Sequence, residues 1–106
     1  MTKKNTLTLV LLLCITAASS AAQYQNPTRD KIEQPEKIME VTGVKPGMVI
    51  GEVGAGHGYF TFWLSRGVGE NGKIYANDID SSGLSAIERR CADEKATLWA
   101  NVLLDG

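Results

Sequence analysis

Three glycines at alternate positions, Gly54, Gly56 and Gly58, constrain this chain more than any other feature. They follow an apolar run, Met48-Val49-Ile50, with Glu52 two places ahead of the first glycine. An amphipathic run, Phe60 to Leu64, comes after them. That order reads as a strand, a tight turn and the start of a helix. Glycine permits φ > 0 and lets a ligand reach the main chain without a Cβ in the way. The turn delivers such a ligand to the positive end of a helix, where unpaired N–H groups point outward. The pattern implies a nucleoside-type ligand at the carboxyl end of the first strand of an α/β sheet. A tight turn without a ligand is the alternative.

The remaining chain supports alternating strands and helices. Gln23 to Asp30 is polar, contains Pro27, and reads as part of a linker over residues 23–33. Pro35 suits the first turn of a helix that has Ile38, Met39 and Val41 on its apolar side and Gly43 just past its end. After the glycines, Phe60, Trp63 and Leu64 share a helix face at i, i+3 and i+4, and Gly67 is expected to end that helix. Asn71-Gly72 is the strongest turn dipeptide. Lys73 to Asn77 reads as a second strand, and a helix from about Ser81 carries Leu84, Ile87 and Cys91 on one face. Thr97 to Leu104 is a third apolar run of strand length. Such alternation implies βαβ units and a parallel sheet.

Residues 1–22 have the character of an export signal: Lys3 and Lys4, an apolar stretch from Leu7 to Thr16, then Ser20-Ala21-Ala22 as a cleavage point. The stretch is short for a membrane span, which needs roughly 20 residues. A cleaved signal is the expectation, and an anchor formed by residues 5–22 the alternative. Losing Lys3 and Lys4 leaves nine basic against twelve acidic side chains, a net charge of −3. No basic patch with interleaved aromatics is visible, which argues against nucleic-acid binding. Only Cys91 follows the leader, so no internal disulfide can form there, and His57 with one cysteine cannot assemble a zinc site. No metal is expected.

Spacing separates the glycine-rich folds. A P-loop ends in Gly-Lys-Ser/Thr, which is absent here. The dinucleotide fingerprint G-x-G-x-x-G wants its third glycine where this chain has Tyr59. The pattern here is acidic-x-G-x-G-x-G, with Asp78 at the end of the next strand. Residues 44–60 (VKPGMVIGEVGAGHGYF) and 72–80 (GKIYANDID) resemble the first two motifs of class I S-adenosylmethionine-dependent methyltransferases. Arg29-Asp30 and Gln34-Pro35-Glu36 resemble the lead-in segment of one subgroup. The usual strand of that family ends in Asp, where this chain has Glu52.

The resemblance implies a Rossmann-like α/β fold, a parallel sheet with flanking helices, of which residues 34–106 supply an amino-terminal part with the first three strands. It implies S-adenosylmethionine as cofactor, bound by Glu52, Gly54, Ala55, Gly56, Gly58, Tyr59, Asp78, Ile79 and Asp105. The glycines and Ala55 would let the main chain lie against the methionine and ribose, and the helix start would face the methionine carboxylate. Asp78 would accept from the ribose hydroxyls, Ile79 would pack on the adenine, and Asp105 would contact the adenine amine. Tyr59 either touches the cofactor or packs beneath it. Asp78 reads alternatively as a loop carboxylate, while Asp80, before Ser81 and Ser82, reads as a helix N-cap. His57 reads as a spacer and Cys91 as a small core residue.

The implied reaction is methyl transfer to an unknown acceptor, and no catalytic residue is nominated. Two alternatives stay open: a non-catalytic cofactor-binding fragment and a nicotinamide-dependent Rossmann oxidoreductase. In the resembled fold strands 1 to 3 lie in the order 3-2-1. The first strand then forms an apolar edge suited to self-association.

Overall fold

A computed structural model describes residues 24–94 and 101–105. The elements are α1 (Pro27–Glu33), α2 (Pro35–Thr42), β1 (Val49–Val53), α3 (Tyr59–Val68), β2 (Lys73–Asn77), α4 (Ser81–Asp93) and β3 (Val102–Asp105). The leader, and Trp99, which a third strand over residues 97–104 would be expected to bury, lie outside the described residues. The sheet is parallel with the order β1-β2-β3, so β2 is central and β1 lies at an edge. Ile50 stands opposite Ile74, and Ile74 opposite Val102. This is the expected order.

Right-handed crossovers that step the same way across a sheet put their helices on the same face. The alternation along β2 shows which face that is. Ile74 and Ala76 are fully buried, while Tyr75 between them is 43% exposed. Phe62 from α3 and Ile87 from α4 join Ala55 and Ala76 in one core cluster, with Leu84, Cys91 and Val102 packed on it. Leu64, Val68 and Ile74 form a second, flanked by Met39, Val44, Ile50 and Phe60. The opposite face carries Val49, Val53, Tyr75 and Leu103, all exposed.

The buried side of α3 differs from the apolar pattern expected of it. Thr61, Phe62, Leu64, Ser65 and Val68 are buried, whereas Phe60 and Trp63 are half-buried. Two polar side chains thus face inward because each has a dedicated partner. Thr61 Oγ1 donates to Glu52 Oε2 at 2.6 Å. Ser65 Oγ donates to Asn101 Oδ1 at 2.5 Å, and Asn101 Nδ2 returns bonds to the carbonyls of Ser65 and Gly69 at 3.1 and 2.8 Å. Asn101 therefore adds a second donor to two carbonyls at the end of α3, which also accept from Gly69 N and Gly72 N. It also ties that end to the sheet, because its own carbonyl accepts from Ile74 N. The helix runs to Val68 with Gly69 as its cap, two residues past the expected stop at Gly67.

The amino-terminal region also departs from expectation. Most of the segment read as a linker is α1, a short helix with no buried residue and hence no apolar period to betray it. Local chemistry makes it: Asn26 Oδ1 caps Arg29 N at 3.2 Å, Pro27 pre-sets the first turn, and Arg29 pairs with Glu33 at 2.6 Å. In α2 only Met39 of the expected apolar side is half-buried; Ile38 and Val41 are exposed. Gly43 closes α2 at φ 76°, with Val44 N bonded to Met39 O. In α4 the expected face is present, Ile87 buried and Leu84 and Cys91 half-buried, and Asp80 is the N-cap through Ser82 N. The third strand is shorter than the run 97–104, and residues 95–100 lie outside the described residues.

Two glycines separate packing from conformational freedom. A Cβ on Gly83, in the first turn of α4, would lie 2.4 Å from the carbonyl oxygen of Gly56, whereas one on Gly51 would meet nothing within 4 Å. Gly83→Ala should therefore destabilise by about 1–3 kcal/mol despite alanine's better helix propensity. Gly51→Ala should be neutral or stabilising by up to about 1 kcal/mol. Urea denaturation of both variants checks this; equal stability would show that α4 can move off the loop without penalty.

Candidate cofactor site

The site is the junction where β1 and β2 end and α3 and α4 begin. Gly54, Gly56 and Gly58 all have positive φ, at 76°, 58° and 90°. The loop is clamped from β2. Asn77 O accepts from both Gly54 N and Ala55 N at 2.9 Å, and Asp78 Oδ2 accepts from Gly56 N at 2.8 Å. Gly58 is the N-cap of α3, and its N–H bonds to Ala55 O at 3.0 Å. A Cβ there would strike Ile87 at 2.6 Å, so the residue both turns the chain and admits α4.

The expected residues divide by position. Gly54, Gly56, Asp78 and Ile79 converge on the mouth of this junction. Ile79 is fully exposed, at 104%, an apolar side chain standing free beside a polar loop. Asp78 is half-buried and bridges the two strand ends, its Oδ1 accepting from Asp80 N at 2.7 Å. The N–H groups of Asp80 and Gly56 hold its carboxyl below the usual carboxylate range, so it is ionised at neutral pH. Each of its oxygens keeps acceptor capacity beyond those bonds.

Other expected residues are turned elsewhere. Ala55 is 7% exposed with its methyl in the core and its N–H committed to Asn77. Glu52 stands on the covered side of the sheet beneath the first turn of α3, bonded to Thr61. An anion there suits the helix dipole. Tyr59 leans toward the amino-terminal helix: its hydroxyl donates to Asp30 Oδ1 at 2.6 Å, and the Arg29 guanidinium lies 3.8 Å from its ring centre. Burial and then the Asp30 bond push the Tyr59 hydroxyl up to about 12. Asp105 pairs with Asn77 at the end of β3, which places its backbone level with the loop. Thr61, Asp30 and Gly83 complete the junction and were not singled out for it by motif; only the lead-in Arg29-Asp30 pointed to one of them. Burial pushes the Cys91 thiol up, in keeping with a core side chain.

Comparison with known proteins agrees with this geometry. Residues 29–103 match the ubiE/COQ5 methyltransferase family, and the chain belongs to that family. No curated protein matches it significantly. Among solved structures, a SAM dependent methyltransferase from Aquifex aeolicus aligns with a TM-score of 0.65 and 28% identity, over 85% of this chain and 47% of that one. A protein-L-isoaspartate O-methyltransferase aligns at 0.59 and 26%, over 68% and 22%. An O-methyltransferase from Bacillus cereus in complex with SAH aligns at 0.53 and 22%, over 92% and 42%, which speaks to fold alone. The chain is thus part of a Rossmann-like methyltransferase fold and spans less than half the length of these structures.

The buried Glu52–Thr61 pair generates a pH prediction. Burial pushes the Glu52 carboxyl up and the Thr61 hydroxyl partly restores it. A folded-state pKa above the unfolded one gives stability that is present at low pH and lost as pH rises through the raised value. Thr61→Val removes the bond that favours the ionised form. We expect a loss of about 1–2 kcal/mol at pH 7 and a smaller one near pH 4, where Glu52 is protonated in both proteins. Denaturation at the two pH values measures this; a loss independent of pH would mean that Glu52 ionisation plays no part.

Proposed function

We propose that this chain provides the cofactor-binding part of an S-adenosylmethionine-dependent methyltransferase. The observation that carries the reading is the clamp of Asp78 on Gly56, which sets a positive-φ glycine loop against the first turn of α3. Family membership supports it. Gly54, Gly56 and Gly58 would border the methionine and ribose, and the first N–H groups of α3 would face the methionine carboxylate. Asp78 would accept from the ribose hydroxyls and Ile79 would cover the adenine, with Asp105 near its edge. Glu52, Ala55 and Tyr59 would act from beneath the loop, by holding it. Because the cofactor carries the electrophilic methyl group, these residues contribute position and shielding. The acceptor is not defined by this junction.

Two further properties belong to the same reading. Residues 1–22 act as a cleaved export signal, supported by their basic-apolar-small order. The open sheet face, with Val49 and Val53 at 66% and 90% exposure along edge strand β1, favours self-association of the chain in isolation. Recovery of the source protein from the cytoplasm with Met1 or Thr2 at its terminus would refute export, and sedimentation of a strictly monomeric chain would refute association.

Calorimetric titration with S-adenosylhomocysteine tests the ligand. Asp78→Ala should weaken binding by about 1.5–3 kcal/mol, roughly tenfold to 150-fold, because a charged acceptor is lost. Preferential binding of NAD would instead favour the oxidoreductase reading. Unchanged affinity in Asp78→Ala, with the variant folded by circular dichroism, would remove Asp78 from the site.

A further inference from the structure

All four arginines of the chain, Arg29, Arg66, Arg89 and Arg90, line one cavity of about 490 Å³ between the amino-terminal segment, α3 and α4. The residues lining it include no lysine, although the chain has seven, and a single acid, Asp30. This concentration of positive charge runs against the sign of a chain whose net charge is −1.

Three of the four arginines are held as well as gathered. Arg29 stacks on Tyr59 at 3.8 Å, Arg66 on Trp63 at 4.3 Å, and Arg90 on Phe62 at 3.9 Å and Tyr24 at 5.0 Å. Stacking on a ring fixes the plane of a guanidinium and leaves its N–H edge to present a fork to a carboxylate or phosphate. Glu33 and Glu94 pair with Arg29 and Arg90, and Asp30 accepts from Tyr59, so the nearby acids are engaged. Arg66 is exposed along its length, yet the packing around its guanidinium and the neighbouring charge of Arg90 both act against its protonated form. An anion in the cavity would relieve that repulsion. The volume suits a small molecule. His57 and Tyr59 of the glycine loop also line it, so the cavity adjoins the proposed cofactor site.

We propose that this cavity binds a small molecule bearing a phosphate or carboxylate group. Resting on the methyltransferase reading, that molecule is the acceptor-side ligand, held by Arg66 and Arg89 with Trp63 and Tyr59 as apolar walls. Where the cofactor's own carboxylate supplies the anion instead, the arginines serve the cofactor.

Pyrophosphate is the probe, titrated into the 106-residue chain in a chloride background. Saturable binding should weaken roughly tenfold in Arg66→Gln and in Arg89→Gln. It should be unchanged in Lys73→Gln, a control on the open sheet face. Absence of saturable binding by the folded chain, or equal weakening in all three variants, would overturn the site. The titration is then repeated with S-adenosylhomocysteine present. Independent binding supports the acceptor-side assignment, whereas mutual exclusion overturns it in favour of the cofactor carboxylate. Pyrophosphate binding in a chain that ignores S-adenosylhomocysteine would overturn the acceptor-side assignment, which needs a cofactor site in this chain, and leave the anion site standing.

Discussion

The short contact between β2 and the glycine loop organises everything around it. One carbonyl, that of Asn77, takes two loop N–H groups, and one carboxylate, that of Asp78, takes a third. Three positive-φ residues in five would otherwise be conformationally loose, since glycine gives up more backbone entropy on ordering than any other residue. Bonding them to the adjacent strand end spends that entropy at folding rather than at ligand binding. The loop is then pressed from the other side, because Gly83 lets the first turn of α4 come up against the Gly56 carbonyl. Gly56 sits between Asp78 and α4, and neither neighbour can move without disturbing the other.

This arrangement explains why so much of the fold could be read from the chain. A buried parallel strand, a turn demanding positive φ and a helix start are local signals, and they fall together between residues 48 and 64. The acid at the end of the second strand stands 22 residues from Gly56 and was legible through motif spacing. What was not legible depends on partners remote in sequence. Thr61 and Ser65 look like solvent-facing positions until Glu52 and Asn101 are brought beside them, the latter from 36 residues away. The helix α1 has no apolar face, and only its cap and its proline announce it. Gly83 reads as a weak point in a helix until the packing shows what would strike its Cβ.

The same reasoning limits the site residues. Motif correspondence grouped Glu52, Ala55 and Tyr59 with the glycines because they are adjacent in sequence. Strand alternation and helix geometry send them to different sides: Glu52 under α3, Ala55 into the core, Tyr59 against Asp30 and Arg29. In the function proposed above, they bear on the site through the loop they support. Asp78 and Ile79, by contrast, stand at its mouth, one ionised and one fully exposed.

The molecule is asymmetric in two respects that meet at this junction. Its sheet is packed on one face and open on the other, because successive crossovers step in one direction and bring both helices to the same side. Its charge is likewise uneven, with the guanidinium groups collected on the helical side where α1, α3 and α4 approach one another. Tyr59 connects these features. It begins α3 directly after the last glycine, and its ring and hydroxyl engage Arg29 and Asp30 of α1. Any displacement of the loop is therefore felt by α1, and any ligand that draws Arg29 away from Tyr59 changes the support beneath the loop. The short helix that was hardest to anticipate from sequence thus shares the lining of the arginine-rich cavity with the glycine turn and touches that turn through Tyr59.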